Sequence, residues 1–373
     1  MRLFIKLFVG AAALLVVLVI GFLIAIENPT TRGPIRCWLQ ESFYAQSWDA
    51  PPIGTPVIEA RLTTEPVRDL CDAADDPAIW VSDEIEGGVL VLGTNKQSSV
   101  NAYDIRGRLI DRADKIGTPN NVDMRLANGR VIAMASDKDD SEIEVFEVDL
   151  AAGKLIRLDA PAIEVDVEDE VYGLCMYARD NQLFAFVTDK SGMISQFLVD
   201  VEIGRALKVR ELRVNTQPEG CVVDDAAHVL YVGEEDVGIW RFSAGQDDSV
   251  DGHLIARTGG EGPLTADVEG LSIYLGQNVD DGFIVASSQG DNTYAVFDRA
   301  PPHAFRGRFQ LSFGGTLIGD TDGLAVTSTP IGHIFPSGLL VVQDGFIRDE
   351  LGNRRNQRFA YVSWSDVELA LDL

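Results

Sequence analysis

The chain is poor in positive charge and in histidine. Its 373 residues carry 31 lysines and arginines against 58 aspartates and glutamates, a formal net charge of −27. Such a chain repels nucleic acid and anionic membrane surfaces unless a cation intervenes. There are four histidines, His228, His253, His303 and His333, and no Arg-His-Gly-x-Arg motif. All four fall outside the repeating elements described below, at surface or loop positions, which argues against a zinc or histidine-based site. The four cysteines, Cys37, Cys71, Cys175 and Cys221, match no zinc spacing and allow three full pairings. Cys175 and Cys221 sit in apolar runs and read as buried free thiols. Strong helical periodicity is also scarce; short Val/Ile/Leu/Phe runs between Gly, Asp and Asn clusters favour strands and turns.

What is present begins with a leader. Arg2 and Lys6 precede an apolar run from Leu7 to Ile26, long enough to cross a bilayer. No Ala-x-Ala site follows it, so residues 1–26 read as an uncleaved membrane anchor, with a cleaved signal peptide as the alternative. Either exports the remainder to the periplasm or the exterior. Residues 27–56 carry Pro29, Pro34, Pro51, Pro52 and Pro56 and read as a tether, with a weak short helix around Arg36–Tyr44. Residues 57–373 form the globular domain, expected to be monomeric.

That domain repeats. An acidic or polar residue, then Gly or Pro, then an apolar strand recurs at Asp76-Pro77, Asp123-Met124, Tyr172-Gly173, Glu219-Gly220, Glu269-Gly270 and Asp322-Gly323. Successive starts lie roughly 47 to 53 residues apart, the length of a four-stranded propeller blade. A second apolar strand follows each and ends in Lys96, Lys138, Lys190, Glu234-Glu235, Gln289 or Asp344. A third strand brings an aromatic: Tyr103, Phe146, Phe197, Trp240, Tyr294–Phe297 and Phe359–Tyr361. The fold expected is all-β, a six-bladed β-propeller with Val57–Leu62 closing the last blade from outside, preceded by the membrane-spanning or signal helix.

In a propeller, residues in register form a ring at the axis. The expected ring is Asp76, Asp123, Tyr172, Glu219, Glu269 and Asp322, with Asp75, Glu235 and Asp267 nearby. One or two such acids are accounted for by bonds to neighbouring blades, Asp123 above all. Five at one mouth need cations, and oxygen ligands without Cys or His select a hard ion, Ca²⁺ above all. Lys96, Lys138 and Lys190 at equivalent positions suit a polyanion, most simply a phosphorylated one.

Together these motifs resemble the bacterial β-propeller (alkaline) phytases: Asp72-Ala-Ala-Asp-Asp-Pro-Ala-Ile-Trp80, Asn120-Asn-Val-Asp123, Glu219-Gly220, Glu234-Glu-Asp236, Asp267-Val-Glu-Gly270 and Asp320-Thr-Asp-Gly323. The resemblance implies a Ca²⁺-dependent phosphomonoesterase acting on phytate, myo-inositol hexakisphosphate, and related inositol phosphates. It implies Asp76, Glu219, Asp267, Glu269 and Asp322 as catalytic ligands or holders of the attacking water. Asp75, Glu235 and Asp344 join them as metal-site acids on the repeat pattern and the resemblance, while Tyr172, Gln289, Lys96, Lys138 and Lys190 face the substrate. Lys138 stands where the family typically has Arg, and Gln97 where a second Lys is often found. The rivals on the same fold are a Ca²⁺-dependent esterase or lactonase and a non-enzymatic binding propeller tethered to an envelope.

Overall fold

Short strands with apolar residues at every position must be covered on both faces. In the computed structural model, which describes Cys37 and residues 48–373, they are covered by each other. Six sheets form, each with at least four strands. The innermost strands are Ala74–Val81, Pro119–Ala127, Val171–Arg179, Pro218–Asp224, Val268–Leu275 and Leu324–Thr327. Adjacent residues of one strand point to opposite neighbours. In Val89–Asn95, Leu90 and Leu92 pack toward blade two, while Val89 and Val91 pack toward blade six. Six apolar clusters result, one at each interface between blades. The aromatics expected on the third strands all lie on them.

The expected closing segment divides its work between two blades. Leu62–Thr63 pairs antiparallel with Tyr361 and Ala360 as the outer strand of blade six. Val57–Glu59 instead pairs parallel with Gln310–Ser312 and gives blade five an extra strand. At the junction of first and last blades, the Gln357 side-chain oxygen accepts the N–H groups of Ala73 and Ala74 at 2.7 and 2.9 Å. The sequence reading carried blade six to the C-terminus. The structure ends in a helix, Trp364–Leu371, whose Trp364 stacks on Tyr274 at 4.4 Å and whose Asp366 pairs with Arg61.

The cysteine reading needs correction. Cys175 and Cys221 are joined in a disulfide, and so are Cys37 and Cys71. Cys175 and Cys221 lie on the inner strands of adjacent blades, 5.7 Å apart at Cα, within bridging range. An apolar run around a cysteine does not reveal a partner one blade away. His303 is buried, its Nδ1 at 3.1 Å from the Asp298 carbonyl oxygen, so it is a loop residue but not a surface one. The anchor at 1–26 and the helix around Arg36–Tyr44, Cys37 apart, lie outside the described residues. Among the described residues no helix is long and apolar enough to cross a membrane.

Candidate metal centre

The pairing register decides which inner-strand residue reaches the axis. In blades one to five the first two strands slip at the same place. The pairs Ala74/Asn95, Pro119/Asp137, Val171/Asp189, Pro218/Glu234 and Val268/Ser288 are followed by Pro77/Gly93, Val122/Ala135, Leu174/Val187, Cys221/Val232 and Leu271/Ala286. Each slip is a β-bulge, a device that re-aims a side chain. Aligned on it, the ring is Asp75, Asn120, Tyr172, Glu219 and Glu269, and the Leu324/Val342 pair places Asp322 sixth.

This ring differs from the expected one in its first two members. Asp76 lies one residue further on, level with Gly173, Gly220, Gly270 and Gly323. Its Oδ2 accepts the Val122 N–H of the next blade at 3.1 Å. Asp123 lies three past the ring, pairs with Arg125 at 2.7 Å and accepts the Met176 N–H at 2.8 Å. The glycines explain the spacing. A Cβ on Gly220 would stand 2.1 Å from the Glu269 carbonyl oxygen, so the inner strands approach too closely there for a side chain. Asp76 also borders the central channel, a cavity of about 400 Å³ that the ring acids cap rather than line.

The same register corrects Asp344. It is level with Asn95, Asp137, Asp189, Glu234 and Ser288, and Gly345 takes the position of Lys96, Lys138, Lys190, Glu235 and Gln289. Side chains at that earlier position hold the loop entering their blade: Asp137 accepts the Thr118 N–H, Asp189 the Glu168 N–H, Glu234 the Thr216 N–H and Ser288 the Thr265 N–H. Asp344 is buried and pairs with Arg358 at 2.9 Å. The structure does not bring it to the ring.

Five acids do meet. Asp75, Glu219 and Asp322 form one group, and Glu219, Glu235 and Glu269 a second, each with carboxylate oxygens within 4.8 Å of one another. Glu219 belongs to both. Burial pushes Asp75 and Glu269 well above the ordinary carboxylate range, and a neighbouring acid, Asp322 or Glu219, adds to each. Burial, then Glu219, raises Glu235 to about 8; burial raises Asp322 to about 6 against the pull of Lys96. Burial likewise raises Asp267, which stands half-buried beside the second group. Asp75 Oδ2 and Glu269 Oε2 are buried without a hydrogen-bond donor. Clustered buried carboxylate oxygens left without donors fit a hard divalent cation, and oxygen-only donors fit Ca²⁺.

The lysines sit differently from one another. Lys96 lies inside the first acid group, its Nζ 2.8 Å from Asp72, 3.3 Å from Asp322 and 3.7 Å from Asp75. Burial alone would lower its ammonium, but Asp72, Asp75 and Asp322 outweigh that and raise it well above the ordinary value. Lys138 and Lys190 each lie over the ring of Tyr172, 5.3 and 5.0 Å from its centroid. Lys138 donates to Asn120 Oδ1 at 2.8 Å, and Lys190 pairs with Glu170 at 3.2 Å. Gln289 follows blade five's second strand, its N–H bonded to the Asp267 carbonyl.

Sequence reasoning missed Asp72, Gln217, whose amide donates to Glu235, and Asn120. The glycines do not reveal Asn120: each ring residue of blades three to six precedes one, but Asp76 and Asn121 stand in that place in blades one and two.

Fold and site together define a six-bladed propeller whose axial mouth is built from carboxylates and lysines. A family profile described as Phytase matches residues 54–373. The chain is 37% identical over 325 residues to a 3-phytase of Bacillus subtilis, covering 83% of this chain and 84% of that one. The chain belongs to the phytase family and is an enzyme of that kind. A solved calcium-binding protein, regucalcin from Agrobacterium tumefaciens, shares the fold with a TM-score of 0.51 at 13% identity, over 82% of this chain and 94% of that one.

Proposed function

We propose that this enzyme hydrolyses phytate and related inositol phosphates with the help of Ca²⁺ held by Asp75, Glu219, Glu235, Glu269 and Asp322. The observation that carries the reading is the pair of acid groups sharing Glu219, set beside the Lys138–Tyr172–Lys190 stack. Bound cations there would neutralise phosphoryl charge and make water easier to ionise. Lys138 and Lys190 hold a phosphate group as point charges, and the Tyr172 ring that both contact steadies their ammonium groups. Lys96 keeps the first acid group compact and offers a third charge to the substrate. Water adds to phosphorus as the ester P–O bond breaks; one of its protons ends on the released alcohol. The displacement is assigned to water because Cys175 and Cys221 are tied in a disulfide and, among the described residues, no histidine lines the channel. The latter also counts against the esterase or lactonase alternative.

Phosphate release from phytate, followed with added Ca²⁺ and then with excess chelator, tests the proposal. Release with calcium that stops in chelator is expected. Full activity in chelator overturns the cation role, and no release in either condition overturns the substrate. For location, the apolar leader and two disulfides support an exported, membrane-anchored domain; recovery of the full chain in the cytosolic fraction would refute it.

A further inference from the structure

Asn120 occupies the ring position of blade two and is fully buried. A buried amide must satisfy two donor hydrogens and an acceptor oxygen. Its Nδ2 donates to Glu219 Oε1 at 2.6 Å and to Asn121 Oδ1 at 3.0 Å, while its Oδ1 accepts from Lys138 Nζ at 2.8 Å. Turned over, the amide would face its oxygen to a carboxylate and its hydrogens to an ammonium, so the surroundings permit one orientation. One side chain therefore ties the acid shared by both groups to a lysine on the substrate side.

We propose that Asn120 is a positioning residue that couples the two halves of the site: it holds Glu219 in the orientation that serves both acid groups and holds Lys138 against Tyr172. The lysine half of this inference rests on the phytate-hydrolysing reading; the Glu219 half does not. Residues that orient a metal ligand from behind are worth about ten- to a hundredfold in metal affinity or activity.

The test uses the full chain and two readouts: the calcium Kd by titration calorimetry, and the KM for phytate at saturating calcium. Asn120→Ala should weaken the calcium Kd about tenfold and raise KM. Lys138→Ala should raise KM and leave the calcium Kd unchanged. The double variant should have the KM of Lys138→Ala alone, because Asn120 reaches substrate only through that lysine. Asn120→Ser keeps a polar group at the buried position but cannot span both partners, and carries the test if the alanine variant does not fold. A folded Asn120 variant whose calcium Kd stays within about twofold of the parent overturns the proposal, whatever its KM. If the parent releases no phosphate, the substrate reading fails, and the calcium titration still decides the role of Asn120 behind Glu219.

Discussion

Lys96→Met removes the ammonium from the first acid group while keeping most of the side-chain volume. Lys96 lies within 3.7 Å of three carboxylates and its side chain is 12% exposed. Removing one partner of a buried ion pair costs about 3–5 kcal/mol. The residual exposure of Lys96 favours the lower end, about 3 kcal/mol. In a domain of about 320 residues each kcal/mol moves Tm by about 1.5 °C, so the variant should melt roughly 4–5 °C lower in chelator. In millimolar calcium the deficit should shrink to less than half, because the added cation takes over as counter-charge to Asp75 and Asp322. The calcium Kd should tighten, since no ammonium competes for those oxygens. Differential scanning calorimetry with and without chelator, beside a calcium titration, reads both effects. An equal Tm loss in both conditions would mean that Lys96 acts by packing, and weaker calcium binding would refute the competition.

Glu235→Gln should weaken calcium binding about tenfold, whereas Asp344→Asn should leave the Kd within about twofold and lower only Tm through its Arg358 pair; equal effects on Kd would put Asp344 back among the ligands. In chelator, stability should fall as pH rises from about 4.5 toward 8. The sign follows from acids held above their unfolded values, Asp322 at about 6 and Glu235 at about 8: the native state keeps protons that the unfolded chain has released. Calorimetry across that range checks it, and a flat or rising Tm contradicts it. Replacing Cys175 and Cys221 together by alanine opens a link across 46 residues and should cost about 4 kcal/mol, read as a lower urea midpoint.

The blades were legible because three cues recur in each one and a propeller interface demands them. An inner strand needs a small residue where it nears its neighbour, a second strand needs apolar residues on both faces, and the third brings an aromatic to the interface. What stayed hidden depends on contacts between blades. The Cys175–Cys221 bond joins two repeats, so neither local run announces it. The N-terminal segment splits because Val57–Glu59 finds a parallel partner at Gln310–Ser312 before Leu62–Thr63 reaches blade six. The C-terminal helix was masked by the expectation that the last repeat runs to the end; Ser363 occupies its N-cap position and Asp366 lies in its favourable first turn.

The site itself turns on one residue of register. Side chains alternate across a strand, so a shift of one exchanges axis for interface. Asp75 and Asp76 have the same chemistry, and matching Asp76-Pro77 to Glu219-Gly220 by residue type makes Asp76 the ligand. The pairing register gives the other alignment. Asp75 follows the Ala74/Asn95 pair as Glu219 follows Pro218/Glu234, so Asp75 takes the acid's place and Asp76 the glycine's, where its Oδ2 accepts the Val122 N–H. The same step puts Asp344 level with Asp137, Asp189 and Glu234, where it pairs with Arg358. Acid surplus therefore cannot locate a metal centre in this fold, because acids such as Asp137, Asp189 and Glu234 hold backbone instead. The centre is marked by buried carboxylate oxygens with no donor, on Asp75 and Glu269, around which Glu219, Glu235 and Asp322 gather.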